Sequence, residues 1–225
     1  MTQAGEVRAV LRGVESVFFD FDGPICRVFS GVSAADVARS LRHAYAEAQG
    51  SASLLSPGDD PLEVVKLASE HDLPAVTELE AMLTSLEVAA VDLADPTPHA
   101  DEVIKALRNG SRRLAAVSNN STSALQRYFA TRGLDQYVAP LIGREPARLR
   151  QMKPDPHMVF LALDAHAVEP GRAVLIGDSV TDIQAARAAG VLSIGYANKP
   201  GKAEALTHAG ATVVIEDMAD LLNAI

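Results

Sequence analysis

The sequence predicts an α/β protein: a three-layer parallel sheet with helices on both faces, carrying a small all-helical unit inserted after the first strand. Three observations carry this. Short apolar runs rich in β-branched and aromatic residues, each bounded by turn residues, recur along the chain. Helical patterns alternate with them, as they do where a parallel sheet is covered on both faces. Between about residues 31 and 95 the alternation stops, and three helical patterns follow one another without a strand.

The first run, "VESVFFD" at 14–20, is apolar at consecutive positions and suits a strand buried on both faces. The insert follows it. "VSAADVARSLRHAYAEAQG", "PLEVVKLASEHD" and "PAVTELEAMLTSLEVAAVDLA" read as helices, "SASLLSPGDDP" as the loop joining the first two, and "DPTP" at 95–98 as the hinge back. "HADEVIKALRNG" is a helix closed by Gly110, a residue suited to the turn past a helix end. "RLAAVSN" at 113–119 is the next strand, and "STSALQRYFATRG" is a helix that opens on capping hydroxyls and closes at Gly133. "DPHMVFLALDAH", "TDIQAARAAG" and "MADLLNAI" supply further helices, and 172–178, 191–197 and 212–216 further strands. The expected division is a discontinuous sheet-bearing unit at 1–24 and 96–225, and a helical unit at 25–95.

Composition narrows the function. Acidic residues outnumber basic ones by 29 to 20, giving a net charge of −9. Such a chain gains nothing from releasing counterions off a phosphate backbone, which argues against a nucleic-acid partner. The single cysteine, Cys26, excludes an intramolecular disulfide, and the six histidines lack the paired spacing of a zinc site. The first thirteen residues hold charges and no apolar core of a secretory signal, and no run approaches the roughly 18 apolar residues of a membrane span. A cytoplasmic protein with no membrane partner is the expectation; nothing in the sequence points to an oligomeric state.

In open α/β sheets, ligands bind beyond the carboxyl ends of the strands. Polar residues collect there in this chain. The first strand ends at Asp20, with Asp22 and Gly23 just beyond. The second runs into Ser118 and Asn119, "QMKPDP" offers Lys153, and "GDSVTD" offers Asp178 and Asp182. Pro154 biases the lysine's backbone to an extended form and so keeps it off the following helix. Four carboxylates, an ammonium and a hydroxyl at one rim suit a divalent cation and an anionic substrate. Magnesium prefers oxygen ligands and completes its shell with water and phosphate oxygens, and Asp20 and Asp178 are its natural ligands.

"DFDGP", "SNN", "KPDP" and "GDSVTD", in that order and at fitting separations, resemble the four motifs of the haloacid-dehalogenase-like hydrolase superfamily. The resemblance spans the chain, since the helical insert sits where that family carries its cap. It implies a Rossmann-like sheet and a magnesium-dependent phosphatase acting on a small phosphorylated metabolite. Asp20 then corresponds to the nucleophile that forms an aspartyl-phosphate, and Asp22 to the general acid/base, protonated while Asp20 is ionised. The backbone carbonyl of Asp22 joins Asp20 and Asp178 on the metal. Ser118 and the amide of Asn119 correspond to phosphoryl-oxygen donors, and Lys153 to the cation that balances the charge of the nucleophile and the phosphoryl group.

The residues leave alternatives open. Ser118 also suits a helix cap, and Asp182 suits a cap or a partner for the lysine as well as a metal ligand. Arg27, Arg144 and Arg148 lie near the motifs; a substrate's second anionic group is one use for them, and a solvated surface position the ordinary one. Pro24 departs from the Thr or Val often found there in the family, and Asp22 stands where dehalogenases carry Tyr and phosphonate hydrolases Ala. "GYANKPGK" lacks the spacing and the final Ser or Thr of a phosphate-binding loop. A phosphosugar mutase of the same family shares every motif. A phospho-accepting signalling domain or a non-catalytic binding protein is the rival from another class.

Overall fold

The structure is a computed structural model, and it describes residues 3–49, 58–71 and 75–225. In chain order the helices and strands are α1 (Gln3–Leu11), β1 (Ser16–Phe19), β2 (Cys26–Arg27), α2 (Ala34–Gln49), α3 (Pro61–Glu70), α4 (Val76–Val91) and β3 (Asp95–Pro96). They continue with α5 (Ala100–Asn109), β4 (Arg113–Ser121), α6 (Thr122–Thr131), β5 (Leu141–Arg144), α7 (His157–His166) and β6 (Ala173–Gly177). The chain closes with α8 (Val180–Ala188), β7 (Leu192–Tyr196), α9 (Lys202–Ala209), β8 (Val213–Ile215) and α10 (Ala219–Leu222).

Six strands form one parallel sheet in the order β5-β4-β1-β6-β7-β8. Side chains alternate faces along a strand, and both faces here are apolar. Val17 and Phe19 of β1 join Leu114, Ala116, Val174 and Ile176 in a cluster with α1, α5, α6 and α10. Phe18, between them, joins Ala115, Val117 and Leu175 against α7 and α8. Two apolar layers on one sheet give the three-layer architecture that the sequence predicts.

Helices α2, α3 and α4 stand between β1 and β4 and have their own cluster, in which Leu41, Val64, Val65 and Leu83 are fully buried. Asp60 caps α3 by accepting the Leu62 N–H, with Pro61 in its first turn. The helix α4 serves two clusters. Leu79 and Leu83 pack among α2 and α3, whereas Ala90 and Val91 belong to the large cluster beside the sheet. The expected loop at 51–61 lies largely outside the described residues, as do residues 72–74 between the second and third helices.

Four features escape the sequence reading, one of them α9, which buries only Leu206 within its span. The N-terminal segment forms α1, which buries only Val7 and Leu11 within its span and has weak periodicity. The four-residue β5 is the edge strand beyond β4. The way into and out of the helical insert is a two-stranded antiparallel ribbon, β2 with β3, pairing Cys26 with Pro96 and Arg27 with Asp95. The segment expected as a hinge at 95–98 is thus half of a paired crossing. Among the described residues no helix is long and apolar enough to cross a membrane.

Candidate active site

The carboxyl ends of β1, β4 and β6 meet at one rim, and Asp20 follows the central strand directly. Its N–H continues the sheet by donating to Ile176 O at 2.8 Å. Its Oδ1 accepts the Phe21 N–H at 2.7 Å and Lys153 Nζ at 2.9 Å. Among the described residues Oδ2 takes no hydrogen bond. The side chain is 11% exposed, so this one oxygen is what the carboxylate offers outward.

Lys153 is buried, and its ammonium has three acceptors: Asp20 Oδ1, Asp182 Oδ1 at 2.5 Å and the carbonyl of Val117 at 2.9 Å. Its backbone is held by Asn119, whose side chain accepts the Lys153 N–H at 2.8 Å and donates to the Lys153 carbonyl at 3.0 Å. The Asn119 side chain is therefore committed to the lysine, which leaves its main-chain amide for any other partner. Ser118 Oγ donates to Asn120 Oδ1 at 3.2 Å and accepts the Asn120 N–H at 3.3 Å. The helix-capping role left open for Ser118 falls instead to Ser121, which accepts the Ala124 N–H.

Asp182 does two jobs at once. Its Oδ2 accepts the Ser179 N–H and hydroxyl in a reciprocal cap at the start of α8, and its Oδ1 holds Lys153. Gly177 makes room for it, since a Cβ there would lie 2.3 Å from that of Asp182. Gly23 does the same for Asp178: its φ is +104°, and a Cβ would lie 2.5 Å from Asp178 Cγ.

Asp22, two residues past Asp20, is exposed at the mouth of the site and accepts the Val28 N–H at 2.9 Å. Two further residues meet Asp178 that the sequence reading did not single out. Asn198 donates to its Oδ2 at 2.9 Å, and Lys202 is ion-paired with the same oxygen. Their signal was adjacency: β7, which precedes them, lies beside β6, which precedes Asp178.

Electrostatics follow from this crowding. Burial, reinforced by Asp182 and Asp178 against the opposing pull of Lys153, pushes the Asp20 carboxyl up to about 7. The protein atoms ringing Asp22 push it up to about 6, against the Val28 hydrogen bond. Burial alone would lower the Lys153 ammonium, but the Asp182 and Asp20 carboxylates outweigh it and the net shift is upward. Without metal, both carboxyls of the pair are thus held above their ordinary range. A dication beside Asp20 would pull that carboxyl back down.

Oxygens of Asp20, Asp178 and Asp182 lie within 4.8 Å of one another. Hard carboxylate donors at this spacing fit a hard dication. Both oxygens of Asp182 already have partners, so Asp20 and Asp178 are the carboxylates left to hold it.

The three arginines part ways. Arg144 is buried between Glu80 and Glu87, at 3.2 and 3.0 Å, so neither the solvated nor the substrate-binding reading holds for it; β5 carries it inward against α4. Arg27 is exposed and paired with Asp95, and Arg148 contacts Glu145 and His157.

The model of the haloacid dehalogenase-like hydrolases matches residues 14–190. The chain belongs to this family. The match takes in every candidate site residue of the sequence reading and stops short of Asn198 and Lys202. A phosphoglycolate phosphatase of Cupriavidus necator is 36% identical over 110 residues, covering 47% of each chain. Phosphoglycolate phosphatase 1 of Pseudomonas aeruginosa is 29% identical over 160 residues, covering 68% of this chain and 57% of its own. The chain spans about half the length of the curated relatives it matches. Among solved structures, a hydrolase of the same family from Deinococcus radiodurans, with bound phosphate and sodium, superposes with a TM-score of 0.61 at 26% identity over 93% of each chain.

Proposed function

We propose that this hydrolase is a magnesium-dependent phosphatase that cleaves a small phosphorylated metabolite through an aspartyl-phosphate. The observation that carries the reading is Asp20: a buried carboxylate at the end of the central strand, one oxygen fixed by Phe21 and Lys153 and the other facing the rim. A carboxylate oxygen of Asp20 attacks phosphorus, and the bond from phosphorus to the ester oxygen breaks in line. Asp22 gives its proton to the departing oxygen, then takes one from the water that cleaves the acyl phosphate. Ser118 Oγ and the Asn119 amide hold phosphoryl oxygens, and Lys153 offsets their charge. Magnesium, held by Asp20, Asp178 and the Asp22 carbonyl, would supply positive charge against the transferring phosphoryl group. The phosphatases named among the relatives support a small, doubly acidic substrate. The helical unit at 25–95 acts as a cap that excludes water and bulky substrates from the core at 1–24 and 96–225. The reading carries with it a cytoplasmic location and no nucleic-acid partner.

The test is phosphate release from an aryl phosphate and a panel of small phosphate esters, with and without magnesium after exhaustive chelation. Metal-dependent release with a preference for small acids is the expected result. Full activity without metal, or preference for a phosphoprotein, overturns it, and an isomerised product in place of free phosphate makes it a mutase.

A further inference from the structure

A second buried ionic cluster lies directly behind the phosphoryl-binding turn, and among the described residues no side chain assigned to the reaction is in it. Glu87 comes from α4 and is completely buried. Its Oε1 accepts Asn120 Nδ2 at 3.0 Å, and its Oε2 accepts the Ser121 N–H at 2.9 Å. Arg144 donates to the same two oxygens, Nη1 to Oε1 at 3.0 Å and Nη2 to Oε2 at 3.1 Å. Arg144 also donates to the Asn119 carbonyl at 2.9 Å and to Glu80 Oε1 at 3.2 Å. One guanidinium thus faces two carboxylates, leaving one negative charge in surplus in a dry place.

A buried surplus charge is costly unless hydrogen bonds satisfy it. What satisfies Glu87 beyond Arg144 is two N–H groups of the turn itself. The consequence is directional. A carboxylate only accepts, so Glu87 fixes Asn120 with its Nδ2 inward and its Oδ1 toward Ser118. That Oδ1 takes the Ser118 hydroxyl proton, and the Asn120 N–H occupies a lone pair of Ser118 Oγ. The chain Glu87–Asn120–Ser118 therefore sets where the Ser118 oxygen sits and keeps its single proton on Asn120 Oδ1 until a phosphoryl oxygen takes over that hydrogen bond.

We propose that Glu87 is a positioning residue for phosphoryl binding: acting through Asn120, it holds the Ser118 hydroxyl in place, with Arg144 as its counterion. This rests on the reading of Ser118 as a phosphoryl-oxygen donor. It also means that a helix of the insert builds part of the phosphoryl site from behind, besides whatever it does above it.

The test uses E87Q, which keeps the shape and removes the surplus charge, but turns an NH2 group toward donors. In metal-free wild type, the Asn120 side-chain amide and the Ser121 N–H are protected in NMR hydrogen exchange, and in E87Q the Asn120 amide loses that protection. With magnesium present, E87Q raises both KM and the inhibition constant of inorganic phosphate by about tenfold, the scale of one hydrogen bond to a charged group, with a smaller change in kcat. N120A reproduces the shift, and the double variant is no worse than either single one, because the two act in series. If E87Q leaves the phosphate inhibition constant unchanged, or if the two single effects add, the relay is wrong. A role confined to stability would move the unfolding midpoint and leave the inhibition constant where it was. The exchange measurement involves no turnover, so protection of Asn120 that is intact in E87Q sinks the relay even if the wild type proves not to be a phosphatase. A wild type without phosphate release or phosphate inhibition, but with the exchange difference, overturns the phosphatase reading and the role of the relay in phosphoryl binding while leaving its geometry standing.

Discussion

Two buried cations among the described residues each sit between two carboxylates. Lys153 lies between Asp20 and Asp182, and Arg144 between Glu80 and Glu87. The charge count is the same, and the outcome differs. Around Arg144 a planar fork matches both carboxylates, and main-chain and side-chain groups of the neighbouring turn take up the rest. Around Lys153 a compact ammonium spends its three donors on Asp20, Asp182 and Val117 and leaves one Asp20 oxygen at the rim with no partner among the described residues. The sealed cluster ties elements together; the open one holds a carboxylate in a state that favours a proton and, on the proposed reading, a metal or a bond to phosphorus.

Breaking the open cluster gives the largest effect on rate. Asp20→Asn should lower kcat by about four orders of magnitude or more, as removal of a nucleophile does, with the circular dichroism spectrum unchanged. A folded variant with kcat near that of the wild type would remove Asp20 from the chemistry. Breaking the sealed cluster costs stability instead. Arg144→Met leaves two carboxylates facing each other without their cation, and urea unfolding should show a loss of about 3–5 kcal/mol. A loss below about 1 kcal/mol would mean that the cluster relaxes, and that the two sites are less different than their geometry indicates.

The two clusters also diverge in their response to pH. The Asp20 carboxyl moves from an ordinary 3.8 to about 7 in the metal-free fold. A raised value means that folding favours the protonated form, so this stabilising contribution is complete below about pH 4 and is lost as pH rises through 7. Asparagine at 20 does not titrate. The stability of metal-free wild type relative to Asp20→Asn should therefore fall between about pH 4 and 7, read from urea midpoints at three pH values, and magnesium should reverse the fall at pH 7. A gap independent of pH would show that Asp20 is not held as described. The smallest effect belongs to the surface: Arg27→Ala removes an exposed pair with Asp95, where unfolding should register about 0–1 kcal/mol.

The open cluster was legible in the sequence and the sealed one was not. Asp20, Ser118 and Asp178 follow apolar runs, and the carboxyl ends of parallel strands converge, so type and order were enough to bring them together. Glu80, Thr84 and Glu87 recur at helical spacing along α4, a pattern that describes a solvated stripe equally well; only β5, a four-residue strand preceded by Pro140, shows that the stripe is covered. Asn198 and Lys202 were hidden for a related reason. Asn198 lies in the loop before α9 and Lys202 opens that helix, a stretch without phosphate-loop spacing, and their tie to Asp178 depends on β6 and β7 being neighbours in the sheet. The long buried strands needed no such knowledge of pairing, and neither did the helices, except α1 and α9, whose two and one buried residues leave little pattern to read.

The uninterrupted course of α4 bears on how such proteins exchange parts. The paired ribbon of Cys26–Arg27 with Asp95–Pro96 looks like the natural seam along which one helical module could be swapped for another. A transplant cut there would carry Glu80 and Glu87 away with the module and strand Arg144 in the recipient. Modules are interchangeable at this seam only between chains that agree on the arginine as well, so inheritance of the insert and inheritance of β5 are coupled. A designer grafting a new specificity onto this scaffold would have to cut within α4, ahead of Glu80, or bring β5 along.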